Sequence, residues 1–230
     1  MLWAADEPDL RMLQQKAAQS RDMEGYVGVC KYLCQTEENP ELLLLYADSI
    51  HQLATKSKKP EQLVEYYIWA SEGNFIKGDF QQGYALKRKA IALAEKAGLK
   101  FAISQSCCDM GYYCNVDARY DSARYYFRKG LEAGEDLSEA GEACRTMLTN
   151  YASSFLFEGK TDSALVYTIR ASERSAADKD TAMLIENLNQ LGTIYRRKKD
   201  LENCIANFEQ ALHLCELRGN HNAVAFIYGN

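Results

Sequence analysis

The alternation of apolar and polar positions is sharpest in "LGTIYRRKKDLENCIANFEQAL", Leu191 to Leu212. Leu191, Gly192 and Tyr195 make one stripe at helical spacing, and Cys204, Phe208, Ala211 and Leu212 make a second beyond a charged "RRKKD" turn. Two amphipathic helices joined in this way predict an antiparallel hairpin. A lone hairpin leaves its outer stripe wet, so it needs a neighbour to pack against. The chain supplies that neighbour by repetition. The small residue at Cys204 recurs at Ala164, Ala123 and Gly83, at intervals of 40, 41 and 40 residues. The first helices carry Ser71, Gly111, Ala152 and Gly192 in register, and the second helices Ala90, Gly130, Ala171 and Ala211. Small side chains belong where two helix axes come nearest. Met110, Phe127, Tyr151, Phe155, Leu191, Tyr195 and Phe208 are left to fill the space between hairpins. A fixed period with two helices per unit specifies an all-α solenoid of antiparallel helical hairpins.

The same pattern sets the expected boundaries. A single solenoid over 1–230 is predicted, with an N-terminal helix at 8–20 and hairpins at 22–57, 61–97, 101–135, 140–177 and 181–218. The first hairpin is the least regular: "DMEGYVGVCKYLCQ" is stopped by "TEENP" before "PELLLLYADSIHQLATKSKK" resumes. An incomplete repeat should occupy 221–230. Aligning "TAMLIENLNQ" with "HNAVAFIYGN" puts Tyr228 in the place of Leu188 and Asn230 in that of Gln190. From this offset the chain is expected to be a fragment of a longer repeat protein. Its last helix should be short and frayed, with Phe226 and Tyr228 partly covered.

Composition narrows the function classes. The chain is 47% hydrophobic and 26% charged, with only three prolines, and its formal charge is −5. The basic runs "KSKK" (56–59) and "RRKK" (196–199) fall at predicted helix ends, where cations complement the helix dipole. Nucleic acid binding by this segment is therefore not expected. No apolar run reaches the roughly 18 residues of a membrane span. The start, "MLWAADEPD", suits a cytoplasmic protein; the alternative is an extracytoplasmic one, if Met1–Ala5 is the remnant of a signal peptide. Of eight cysteines, Cys107, Cys114 and Cys204 fall on buried stripes, where an unbridged thiol acts as a small hydrophobe. There is no CxxC pair, and His51, His213 and His221 lack ligand-like spacing, so neither a metal nor a cofactor is expected. Phosphate loops and the hydrolase motifs are missing too. Pairs such as Glu132/Glu135 and Glu139/Glu142 read as solvated helix ends, and the chain is not expected to be an enzyme.

"NLNQLGTIYRRKKDLENCIANFEQAL" resembles a tetratricopeptide repeat (TPR), with Leu188, Leu191, Gly192 and Tyr195 in helix A and Cys204, Phe208 and Ala211 in helix B. The other units match more loosely, since Asn74, Cys114 and Thr168 stand where an aromatic is usual, and the period exceeds the family's 34. The resemblance covers residues 22–230 and extends to the TPR segments of bacterial regulators. It implies a right-handed superhelix whose A helices line a concave groove for a peptide or protein segment. By the family register the groove residues are Trp69, Glu72, Tyr112, Asn115, Asn150, Ser153, Asn189, Gln190, Arg196 and Arg197. Amides can pair with a peptide backbone as donor and acceptor, and Tyr and Trp give contact area at little entropic cost. The carboxylate clamp of chaperone-binding TPRs is absent, because its positions hold Ile68 and Glu72, Cys108 and Tyr112, and Thr149 and Ser153. The implied function is a non-catalytic protein- or peptide-binding scaffold, the sensory or docking segment of a larger regulatory protein. The alternative is an architectural or oligomerisation solenoid, such as a homodimer, with an unoccupied groove. Aromatics exposed on the A-helix wall favour the first; an apolar patch on the other side favours the second.

Overall fold

The computed structural model describes residues 9–37, 39–219 and 227. Among these residues there are eleven α-helices, one 3-10 turn at Ser138–Ala140, and no strand. The helices are α1 (Leu10–Ser20), α2 (Met23–Thr36), α3 (Pro40–Ser57), α4 (Pro60–Lys77), α5 (Phe80–Ala97) and α6 (Lys100–Val116). They continue as α7 (Tyr120–Gly134), α8 (Gly141–Phe157), α9 (Thr161–Ala177), α10 (Thr181–Arg197) and α11 (Leu201–Leu217). The structure is all-α and TPR-like, built from consecutive packed helix pairs. The chain divides into two compact units, Met1–Ser106 and Cys107–Asn230, with the boundary inside α6.

The turns are tight because their residues suit both ends. Asp79, Asp180 and Asp200 accept hydrogen bonds from the backbone N–H of Gln82, Met183 and Asn203 at 3.0, 3.1 and 3.2 Å. Each thereby satisfies an orphan donor of the helix it opens. Gly78, at φ 87°, ends α4 in the left-handed region that lacks a steric penalty only for glycine. Lys199 takes the same role between α10 and α11 at φ 61°.

In the first unit Val29, Leu33, Leu43, Ile50, Val64 and Ile68 form a closed core shared by α2, α3 and α4. In the second unit the small residues mark the closest approaches. A Cβ on Gly192 would meet the Phe208 ring at 2.7 Å, and one on Gly111 would overlap the Phe127 ring. Ala123, Ala152, Ala164, Ala171 and Ala211 are all fully buried. Cys107, Cys114 and Cys204 are buried as their register predicts.

Ties between successive repeats are polar. From α8, Arg145 reaches Asp178 at 2.8 Å and Asp180, the N-cap of α10, at 3.0 Å. Thr149 donates to Asn187 Oδ1 at 2.9 Å, and Asn187 Nδ2 donates to Ser175 Oγ at 3.1 Å, wholly inside the protein. Ile227 is buried against Ile185, Leu188, Leu191, Ala211 and Cys215. The other residues of the expected incomplete repeat, Phe226 and Tyr228 among them, lie outside the described residues.

Candidate functional site

The ten groove positions separate into spent and unspent side chains. In the first unit both are spent. Trp69 is 6% exposed, belongs to the core, and donates from Nε1 to Glu65 at 2.9 Å. Glu72 is 7% exposed and forms an ion pair with Lys87, itself fully buried. Neither presents the open face expected of a groove residue. The cause is local: Lys87 of α5 reaches back to α4, and a buried cation holds its carboxylate.

Several amides of the second unit are also engaged. Gln190 accepts from Thr168 Oγ1 at 3.0 Å and donates to Ser153 Oγ at 2.7 Å, so its side chain ties α10 to α8 and α9. Arg197 is exposed but donates to the carbonyl of Leu156 at 3.0 Å. Arg196 is exposed, and Asn189 is half-buried.

What the second unit brings together is smaller. Tyr112, Asn115, Asn150 and Ser153 line one open depression of about 450 Å³. Val116, Tyr120, Phe157 and Glu186 complete it, so α6, α8 and α10, three successive A helices, all contribute, with one residue from the start of α7. Tyr112 is 50% exposed and Phe157 60%, while the rings of Tyr120 and Phe157 lie 5.9 Å apart. Asn115 is buried; its Nδ2 donates to the carbonyl of Asn150 at 2.9 Å, and its Oδ1 has no partner among the described residues. Such an orphan costs about 1–3 kcal/mol of stability. Asn150 donates to Thr146 O at 3.1 Å, and Ser153 to Thr149 O at 3.1 Å. Glu186 is an exposed residue, yet the protein crowding its carboxyl raises the pKa, and no cation among the described residues stands against it to reverse that.

Val116, Tyr120, Phe157 and Glu186 were not among the expected site residues. One sign was in the sequence: "FLFEGK" ends a helix on an exposed Phe, where a polar residue normally stands. Nothing in the sequence marks Glu186 apart from other surface glutamates.

A second hollow, of about 440 Å³, lies on the B-helix side between α7 and α9, with Tyr151 of α8 in its lining. Its rim balances three arginines (128, 170 and 174) against three glutamates (132, 135 and 173). Its aromatic groups pack on one another, Tyr151 on Tyr167 at 4.5 Å and Tyr167 flat on Phe155 at 5.4 Å. No orphaned polar atom lies there among the described residues.

No protein-family model matches the sequence, and no curated protein matches it at the sequence level. Similarity appears in solved structures. BtubC (BKLC) from P. vanneervenii superposes with a TM-score of 0.73 at 13% identity, over 92% of this chain and 88% of that one. PlcR of Bacillus thuringiensis, solved in complex with the peptide PapR7 and DNA, gives 0.60 at 13% identity, over 98% and 86%. YrrB, a TPR protein with an unusual peptide-binding site, gives 0.54 at 15% identity, over 96% and 100%. The fold thus falls in the class of TPR-like helical repeats. No helix among the described residues is long and apolar enough to cross a membrane.

Proposed function

We propose that the chain is a non-catalytic scaffold that binds a peptide or protein segment along the A-helix wall of its second unit, as the docking or sensory segment of a larger regulatory protein. The observation that carries this reading is the open depression over three successive A helices, with exposed aromatic rings and an orphaned buried amide oxygen. Buried polar groups are normally satisfied, so an exception that lines an open depression calls for a partner. Two neighbours of the fold are described with peptides, which supports the same reading. The test is capture of peptides selected from a random library on the intact protein. A Tyr112→Ala/Asn150→Ala variant should lose about 1–2 kcal/mol of affinity for each real anchor and keep its far-UV helical signal. Equal capture by both proteins would remove the depression from the reading.

A second reading, an oligomerising solenoid, draws on one observation. Val166 and Ile169 on α9, and Leu201 and Ile205 on α11, are aliphatic and exposed on B helices. Sedimentation equilibrium decides it: a dimer dissociated by Ile205→Glu would favour that reading.

A further inference from the structure

We propose that the depression on the second unit takes the side chain of a lysine or arginine from the bound peptide, its charged head at Glu186 and its stem along Val116, Tyr112, Tyr120 and Phe157. This rests on the reading that a peptide binds the A-helix wall, and adds what kind of residue anchors it.

The amide and serine groups lining the depression each make one donation within the protein: Asn115 Nδ2 to Asn150 O, Asn150 Nδ2 to Thr146 O, and Ser153 Oγ to Thr149 O. Two acceptors are left without a counterpart. Among the described residues Asn115 Oδ1 has no partner, and the Glu186 carboxylate meets no cation. The rings of Tyr112, Tyr120 and Phe157 add negative π-faces, which attract ammonium and guanidinium groups. No lysine or arginine among the described residues lines the site. An unmet carboxylate, an unmet amide oxygen and three aromatic rings suit a donor-rich cation on an apolar stem, which is the chemistry of lysine and arginine. An acidic ligand would place like charge against Glu186, and a purely aliphatic one would leave both acceptors unsatisfied. The crowding that raises the pKa of Glu186 is the condition an incoming cation would relieve.

The experiment is selection of random twelve-residue peptides on the full chain and, in parallel, on Glu186→Gln and Tyr112→Ala/Asn150→Ala. Expected is enrichment of Lys or Arg at one fixed position, with selected peptides binding Glu186→Gln at least tenfold more weakly. Replacing that residue by norleucine should weaken binding to the wild type to the same degree. Far-UV spectra of both variants should match the wild type. Peptides that need Tyr112 and Asn150 but carry no basic residue, or ignore Glu186→Gln, overturn the cation proposal and leave the groove reading standing. If N-terminal acetylation, rather than norleucine, abolishes binding, the cation is a chain terminus and the side-chain assignment is wrong. Peptides indifferent to all three changes, or no enrichment at all, overturn the groove reading and this proposal together.

Discussion

Glu72 and Phe75 of α4 occupy the repeat positions that Tyr112 and Asn115 occupy in α6, forty residues on. The first unit closes both. Glu72 is locked onto Lys87, and Phe75 is 4% exposed with its ring edge-on to Tyr84 at 5.1 Å. The second unit completes neither: Tyr112 is half exposed, and Asn115, though buried, holds a carbonyl oxygen that nothing among the described residues satisfies. One scaffold and one register therefore carry two uses. The first unit uses these positions for its own stability. The second leaves them incomplete: Asn115 Oδ1 is, with Ser104 Oγ and Ser106 Oγ of the first unit, one of three buried side-chain atoms without a partner among the described residues, and of these it alone lines an open depression, where function is expected.

The largest expected effect breaks the closed side. Lys87→Met removes the buried cation paired with the Glu72 carboxylate and should cost about 3–5 kcal/mol. Adding Glu72→Leu should recover most of that loss, since removing both charges is far cheaper than removing one. Chemical denaturation measures both. Below the unfolding transition, peptide capture should be unchanged, because neither residue lines the depression. A double variant as unstable as the single one would show that the loss of this ion pair's cation is not what destabilises Lys87→Met.

Next comes the framework that the two units share. Gly111→Ala drives a methyl into the Phe127 ring, an overpacking that should cost about 1–3 kcal/mol. Gly192→Ala faces Phe208 at 2.7 Å and should behave alike. This framework was readable in the sequence, because a small residue at a helix crossing leaves a trace at every repeat: Gly111, Ala152 and Gly192 stand 41 and 40 apart. The site was less so. Register says which way a residue points along a helix, and it pointed Glu72, Gln190 and Tyr112 to one wall alike. It does not say whether a residue fifteen positions on, such as Lys87, or one on another helix, such as Thr168, will consume that side chain. Those pairings depend on three-dimensional packing, and so Glu72 and Gln190 proved committed while Glu186, unremarkable in the sequence, proved exposed and unanswered.

A smaller effect separates the two uses of asparagine. Asn187 is fully buried, with both ends bonded, to Thr149 and Ser175. Asn115 has one end bonded. Asn187→Ala removes two buried hydrogen bonds and should cost about 1–3 kcal/mol. Asn115→Leu removes an orphan along with its one bond and should fall within about 1 kcal/mol of the wild type, while peptide capture drops. Thermal unfolding followed by circular dichroism gives the first comparison, and titration of selected peptides the second. Equal destabilisation by both changes would deny that Asn115 is held in an unsatisfied state.

The smallest expected effect is the most diagnostic. Crowding raises the pKa of Glu186 above its ordinary 4.5, so the folded protein holds that proton more tightly than the unfolded chain does. Well below pH 4.5 both states are protonated and the residue contributes nothing. As pH rises, the unfolded chain ionises first and stability falls; above the folded value the deficit is constant. Glutamine has no proton to lose, so Glu186→Gln should be as stable as the wild type at pH 3.5 and more stable at pH 7. The residue is exposed and solvent screens its charge, which keeps the gain to about 0.5 kcal/mol or less. That corresponds to a rise in Tm of about 1–2 °C for a chain of this size. A saturating basic peptide should reverse the order at pH 7, because it supplies the wild type with the cation its carboxylate lacks and offers the variant nothing comparable. Midpoints at the two pH values, with and without peptide, decide the matter: a variant no more stable than the wild type at pH 7, or an order the peptide leaves unchanged, would mean that Glu186 is an ordinary surface carboxylate.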